Sequence, residues 1–526
     1  MKPLNVVRKV PRGVTLIILG LIVCTLGLIV YGFQGCSGGS SSTGCGGGSS
    51  STSTSTTPTT LALPAFPLVD SVDHRYLQDQ KGVPFPILGR TAWFITSLSD
   101  TDYKSFIDDT AAKGYNAIEF HVVNHDPRGK NPPFGGNGAL PFTNRLNNLP
   151  WDGSLSYGNI NNDAPDFTQP NEMYWTHVDA ILTYGETKGI LFFMFPAYVG
   201  YQGGAQGWMQ EMVANGSTKM QDYGAWIATR YKNQKNLVWM LGGDYGTGTG
   251  ANNFTAPELA VEHALLAGMQ SIGGQASLNF SAEWANDSIY TDQADATLRD
   301  AGTLEGAYAG TGDVNTYARN GYGEFDSDGV TPHAVMPTFL LEEPYDQEGP
   351  DGNGVNLTAT QPVRRFQWWG WLSGIGGYIS GNGYVVQFSP VWQSHLNTQG
   401  TQDMARLNAF IRSIAWFNLV PSELNGMRNL VTLGGSIISF PDYVAAAATP
   451  DGTLLVAYVP PAHSGPITID MTAMSGPTRA RWFNPTTAAY TDAGVLPSGT
   501  LTDFTPPPGG CRGSAVDDWV LLLEKQ

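Results

Sequence analysis

The chain has 526 residues, 41% of them hydrophobic, and a formal net charge of −17. That length exceeds one ordinary core, so several regions are expected, and the acidic balance disfavours a nucleic-acid partner, whose phosphates want a basic face. With four cysteines the fold cannot depend on a disulfide framework: Cys24 lies in an apolar run, Cys36 and Cys45 in a Gly/Ser tract, and Cys511 in a late loop.

Lys2, Arg8, Lys9 and Arg12 precede an uncharged run from Val14 to Phe33. Such a run spans ~30 Å of hydrocarbon at ~1.5 Å per residue, and its basic flank predicts that the remainder lies outside the cytoplasm. A cleaved signal peptide, whose apolar core is usually shorter, and lipid attachment at Cys36 stay open as alternatives. All three send the bulk of the chain across the membrane. Residues 1–33 are read as anchor or signal, and 34–63, almost all Gly, Ser and Thr, as a flexible tether.

From residue 64 strands and helices alternate. "PFPILGRTAWFI" reads as a strand. "SDTDYKSFIDDTAAKGYN" reads as a helix, capped by Ser99 or Thr101 and ended by Gly114. "NAIEFHVV" is a strand, followed by an irregular stretch from Asn124 to Pro170 of a length that is usually functional. "NEMYWTHVDAILTYGETKG" is a helix, "ILFFMFPAY" a buried strand and "TKMQDYGAWIATRYKNQK" a helix. "NLVWMLGGDYG" is a strand that ends on two glycines and Asp244. "TAPELAVEHALLAGMQSIG" opens with a capping box, Thr255 and Glu258. "ASLNFSAEW", "LEGAYAG", "AVMPTFLLEEPY" and "GGYISGNGYVV" are further strands, with "PVRRFQWWGWLSG" and "DMARLNAFIRSIAWF" as helices. Trp368, Trp369 and Trp371 in the first of these read as core. Repeated strand–helix units imply a parallel sheet, and eight of them over residues 64–428 predict a (β/α)8 barrel. A doubly wound open sheet is the rival, without the glycine-rich fingerprint of a nucleotide site. Residues 429–526 change texture to short strands and turns, an expected antiparallel β-sandwich.

Active groups of a barrel sit at the C-terminal ends of its strands. There stand Asp244, after strand four, and Glu342 and Glu343, after strand seven. Either motif alone fits an ordinary turn or strand exit. Together, two carboxylates facing one mouth suit glycoside hydrolysis, one protonating the leaving oxygen while the other attacks the anomeric carbon or activates water. Aromatic residues at the same ends, Trp93, Tyr198, Tyr201, Tyr345 and Trp392, offer faces for sugar rings, and Asn124, His125 and Asn279 offer polar contacts. No cofactor is expected, and no Cys/His spacing suggests zinc. The loop with Asp346, Glu348, Asp351 and Asn353 has hard oxygens but not the full spaced calcium signature.

"TAWF", "AAKGYNAI", "PAYVGYQGG", "RYKNQKNLVWMLGGD" and "FLLEEPY", in this order, resemble the apiosidase-like glycoside hydrolases, and the tail resembles the small module, carrying a collagen-binding label, that follows that domain. The resemblance implies a retaining mechanism, with Asp244 as acid/base, Glu342 as nucleophile and Glu343 as its neighbour. Arg90 departs from the acidic residue that the family often carries before "TAW". The expectation is a membrane-tethered, exo-acting hydrolase of an extracytoplasmic polysaccharide or oligosaccharide. The alternative is a surface carbohydrate-binding or adhesive protein on an inactive scaffold.

Overall fold

The structure is a computed structural model, and it describes residues 62–125, 148–151, 165–204, 206–246, 253–276, 279–283, 288–308, 314–323, 330–342, 345–347, 362–438, 441–508 and 518–526. The apolar run before the tether and most of the irregular insert lie outside these residues. Among the described residues no helix is long and apolar enough to cross a membrane.

Eight parallel strands form the barrel: β1 (Ile87–Thr91), β2 (Ala117–His121), β3 (Leu191–Phe195), β4 (Leu237–Gly242), β5 (Phe280–Glu283), β6 (Glu305–Tyr308), β7 (Thr338–Leu340) and β8 (Gly377–Ser380). Each pairs with the next in chain order except β5 with β6, and β8 pairs with β1. Between β5 and β6 the ring nearly closes, the Thr303 and Leu304 N–H groups donating to the Phe280 carbonyl at 2.9 and 3.2 Å. The strand read in "LEGAYAG" is β6.

Helices α1 (Asp100–Ala112), α2 (Glu172–Thr187), α3 (Met209–Tyr231), α4 (Ala256–Gln270), α5 (Ala296–Arg299), α6 (Val314–Tyr322), α7 (Pro362–Leu372) and α8 (Gln399–Arg412) accompany the strands. Their ends follow local chemistry. Ser99 caps α1 by accepting from the Asp102 N–H at 2.9 Å, and Gly114 follows it with φ +76°. The α4 capping box of Thr255 and Glu258 is present. Helix α3 starts earlier than its sequence pattern suggests because it turns through a kink at Gly216 (φ 76°, ψ 167°).

Strand alternation sorts the core. Ile87, Ala117, Phe193, Val238, Leu304, Phe339 and Ile379 point inward as one cluster, which Leu68 and, from an N-terminal three-stranded sheet, Leu77 and Phe85 close at the bottom. Outward residues pack under the helices. Arg90 is one of them: its guanidinium donates to Asp109 (2.8 Å) and Thr110 (3.2 Å) of α1, so this departure from the family pattern lies outside the barrel mouth.

The C-terminal module has a six-stranded antiparallel sheet faced by a three-stranded one. The larger sheet is covered on both sides. Leu455, Ala457, Leu521 and Leu523 meet the smaller sheet, while Val456, Tyr458, Val520 and Leu522 meet α7 and α8. Double coverage explains why "LLVAYV" and "WVLLLEK" are nearly unbroken apolar runs, although antiparallel strands usually alternate. Trp368, fully buried in α7, stacks on Tyr458 at 6.0 Å and 7°. Arg364 of α7 donates two 2.8 Å hydrogen bonds to Asp518 and another to Asp403.

Candidate active site

The run "NLVWMLGGD" ends as it does because three things meet there. Gly242 and Gly243 leave β4 with φ 74° and 133°. A Cβ on Gly243 would lie 2.3 Å from the Tyr198 ring, so only glycine lets that ring cover the strand end. Asp244 follows, itself left-handed at φ 50°. Glu342, just past β7, has φ 64°. Non-glycine residues in this region carry strain of ~1–3 kcal/mol each, kept only where the surroundings over-determine them. Both acids singled out by sequence are such residues.

Their carboxylates converge. One oxygen each of Asp244, Glu283 and Glu342 lies within 4.8 Å of the others. Glu283, the last residue of β5, and Glu119, inward in β2, are 1% and 0% exposed. The Glu283 and Glu342 carboxyls share a hydrogen bond, and the Tyr345 hydroxyl donates to Glu342 Oε1. Thr91 Oγ1 donates to Glu119 at 3.2 Å. Burial first, then the charge of Glu342, pushes both Glu119 and Glu283 well above the usual carboxylate range. These oxygens are near enough to grip a divalent cation, but they spend lone pairs on one another and on Tyr345. The donor set fits shared protons better than a metal, whose calcium form would want ~6–8 oxygens.

Aromatic rings wall the mouth. His121 lies between Trp93 (5.1 Å, 16°) and Tyr198 (4.1 Å, 16°). Its Nε2 has no hydrogen-bond partner, and burial lowers its pKa to about 3, so the ring is neutral. Tyr198 also donates to Asp244 at 3.4 Å. Tyr345 meets Trp93 edge-on at 6.1 Å. A Cβ on Gly381 would sit 1.8 Å from the Tyr345 ring, which fixes its place. Trp93 is only partly buried, an accessible face for a sugar ring. Tyr201 stands on the rim, 41% exposed, in a turn whose Gln202 N–H donates to the Asp244 carbonyl at 3.3 Å.

Of the expected site residues, Asp244, Glu342, Trp93, Tyr198 and Tyr345 thus come together. Four do not. Asn279 precedes β5 and sits at the opposite end of the barrel, donating to the Leu68 carbonyl at 3.4 Å. Trp392 is 3% exposed and packs edge-on against Phe106 and Phe388 under α1. Asn124 donates to Thr96 at 3.1 Å in a buried network that includes Tyr174. His125 pairs with Glu211 of α3 at 2.8 Å beside Trp208. Each of these side chains is engaged by residues other than the carboxyl cluster. Glu343 lies outside the described residues, as do Glu348, Asp351 and Asn353 of the possible calcium loop. Its Asp346 is held by Asn382 and Thr398.

Sequence reasoning missed Glu119, His121 and Glu283. "AIEFH" places Ala117, Glu119 and His121 on one face, and a charged residue in a run buried at every position was the signal. Glu283 ends its strand as Asp244 and Glu342 nearly do. A cavity of about 370 Å³ opens elsewhere, between the bottom of the barrel and the module, but its two acids, Asp73 and Asp451, are exposed, and the buried carboxyl cluster is not in it.

A parallel barrel with buried acids at its C-terminal mouth is the architecture of a glycoside hydrolase, and solved structures share the fold. One described as a glycoside hydrolase superposes with TM-score 0.67 at 19% identity, covering 88% of this chain and 99% of its own. A glycoside hydrolase family 5 structure from Bacteroides vulgatus ATCC 8482 gives 0.65 at 20%, covering 87% and 93%. No curated protein matches. The model described as "Apiosidase-like, catalytic domain" matches residues 71–418, and the chain belongs to that family of glycoside hydrolases. Residues 438–524 match a second model, "Putative collagen-binding domain of a collagenase".

Proposed function

We propose that this glycoside hydrolase works with retention of anomeric configuration on an extracytoplasmic glycan, with Glu342 as nucleophile and Asp244 as acid/base. The observation that carries the reading is the spacing: oxygens of the two acids lie within 4.8 Å of each other. Retaining pairs stand about 5–5.5 Å apart, whereas inverting pairs need about 6.5–9.5 Å to admit a water between acid and base. Glu342 attacks the anomeric carbon while Asp244 gives its proton to the departing oxygen. Asp244 then takes a proton from water, which releases the sugar. Trp93, partly exposed beside the acids, is the stacking face, and Tyr345 steadies the nucleophile through its donated hydrogen bond. Exo action is part of the same proposal.

Glu342→Gln lowers turnover by at least ~10⁴-fold, and azide restores activity to Asp244→Gly on an activated aryl glycoside while yielding a glycosyl azide. Full activity in the Glu342 variant removes the mechanism, and an inverted product anomer replaces it by the water-mediated one. The same proposal places the enzyme on the outer side of a membrane through Val14–Phe33, which follows four basic residues. Recovery of the full chain in membranes, with the barrel open to added protease, checks that placement.

A further inference from the structure

Glu283 takes no part in the two-acid reaction above, yet it is buried against it. It ends β5 opposite Gly242 in the β4–β5 register, is 1% exposed, and hydrogen-bonds Glu342. Two carboxylates cannot share a hydrogen bond without a proton between them. Among the described residues, the titratable groups named around the pair supply no positive charge. Glu119 and His121 face it from β2, Tyr198 from beyond β3, Asp244 from beyond β4 and Tyr345 from beyond β7. His121 is neutral, and Glu283 meets no Lys, Arg or His at ion-pair distance among the described residues.

We infer that Glu283 is a positioning residue: as an uncharged carboxylic acid it donates its O–H to Glu342 and, with the Tyr345 hydroxyl, aims the carboxylate that the reaction uses. The inference rests on the proposed role of Glu342. Its physical need is visible in the backbone. Glu342 follows the strand at φ 64°, so the strand pleat no longer sets its side-chain direction, and donated hydrogen bonds must. Burial and the neighbouring charges of Glu342 and Asp244 both favour the protonated form of Glu283. The proton also matters in the second half of the reaction, when Glu342 regains its charge as the sugar leaves and a donor at its oxygen stabilises that charge.

Glu283→Gln keeps a neutral N–H donor of nearly the same shape, whereas Glu283→Ala deletes it. On the 4-nitrophenyl glycoside that the wild type cleaves fastest, Glu283→Gln lowers kcat about threefold. Glu283→Ala lowers it about 10- to 100-fold, the range for one hydrogen bond to a charged group, with KM changed less than about threefold. A readout without substrate accompanies this. An acid that stays protonated in the fold loses stability relative to Gln as pH rises from 5 to 8, so the melting temperature of Glu283→Gln gains on the wild type over that interval. Equal damage in both variants, no damage in either, or a melting difference flat with pH overturns the inference. An active Glu342→Gln overturns the mechanism instead, and the pH-dependent melting difference still reports the shared proton.

Discussion

At the seam between barrel and module, Arg364 leaves water together with Asp403 and Asp518, and Arg406 adds a 2.7 Å bond to Asp403. Two cations therefore accompany two anions, with Arg364 1% exposed and both aspartates 0%. The barrel mouth gathers acids in the opposite way. Glu119, Glu283 and Glu342 gather beside Asp244, and the groups that meet them are hydroxyl donors and a neutral imidazole. The seam is neutral and hydrogen-bonded, as a structural cluster must be. The mouth has like charges, left-handed backbone at two of its acids, and polar atoms such as Glu119 Oε1 and His121 Nε2 without partners. Cost without compensation in a fold is the mark of a working site.

The contrast predicts that the two clusters fail differently. Glu342→Gln removes a charge from the crowded mouth, so the ~10⁴-fold loss of activity comes with a melting temperature no lower than the wild type's. A clear drop in melting temperature would mean that the acids hold the fold together. Arg364→Met does the reverse. It leaves buried Asp518 without its cation and Asp403 with Arg406 alone, a change that costs about 3–5 kcal/mol, and denaturant titration reads it directly. The catalytic constants of the folded fraction stay near wild type because α7 meets the outside of the barrel. Gly243→Ala strikes both. Its Cβ would lie 2.3 Å from the Tyr198 ring, at a φ of 133° that alanine resists, and the strain of ~2–3 kcal/mol appears in stability and in a raised KM as Tyr198 is displaced.

The same contrast explains what could be read from sequence. The barrel was legible because its strands and helices alternate with clear caps, Ser99, Thr255 and Gly114 among them. Even weak "LEGAYAG" was found, since seven neighbours imply an eighth. Asp244 and the pair Glu342 and Glu343 stood out where apolar runs break at strand ends, and the family resemblance chose Glu342 from the pair. Glu119 did not, because inward and outward residues of a doubly buried strand are equally apolar and only knowledge of register turns it toward the mouth. Asn279 shows the converse error. It is close in sequence to Glu283, but it begins the strand that Glu283 ends, so the barrel's whole height separates them. Trp392, Asn124 and His125 lie near the right strand ends, yet their direction depends on partners from distant elements, Phe106, Thr96 and Glu211. Pairings of that range leave no periodic trace in a chain.

Glu262 offers the cleanest test. It lies fully buried in α4, and neither carboxyl oxygen has a hydrogen-bond partner. It thus has the uncompensated character of the mouth without its position there. Burial pushes its pKa from 4.5 up to about 8, so the native state keeps a proton that the unfolded chain releases near 4.5. Stability attributable to this group is whole below about pH 4.5 and is lost as pH rises toward 8, because the unfolded state gains by ionising first. Glu262→Leu removes that loss. The variant gains ~3 kcal/mol over the wild type between pH 5 and pH 8, measured by urea unfolding at both values, with hydrolysis unaffected. A gain equal at both pH values would show that the buried carboxyl does not hold its proton, and Glu262 would then belong with the compensated charges of the seam.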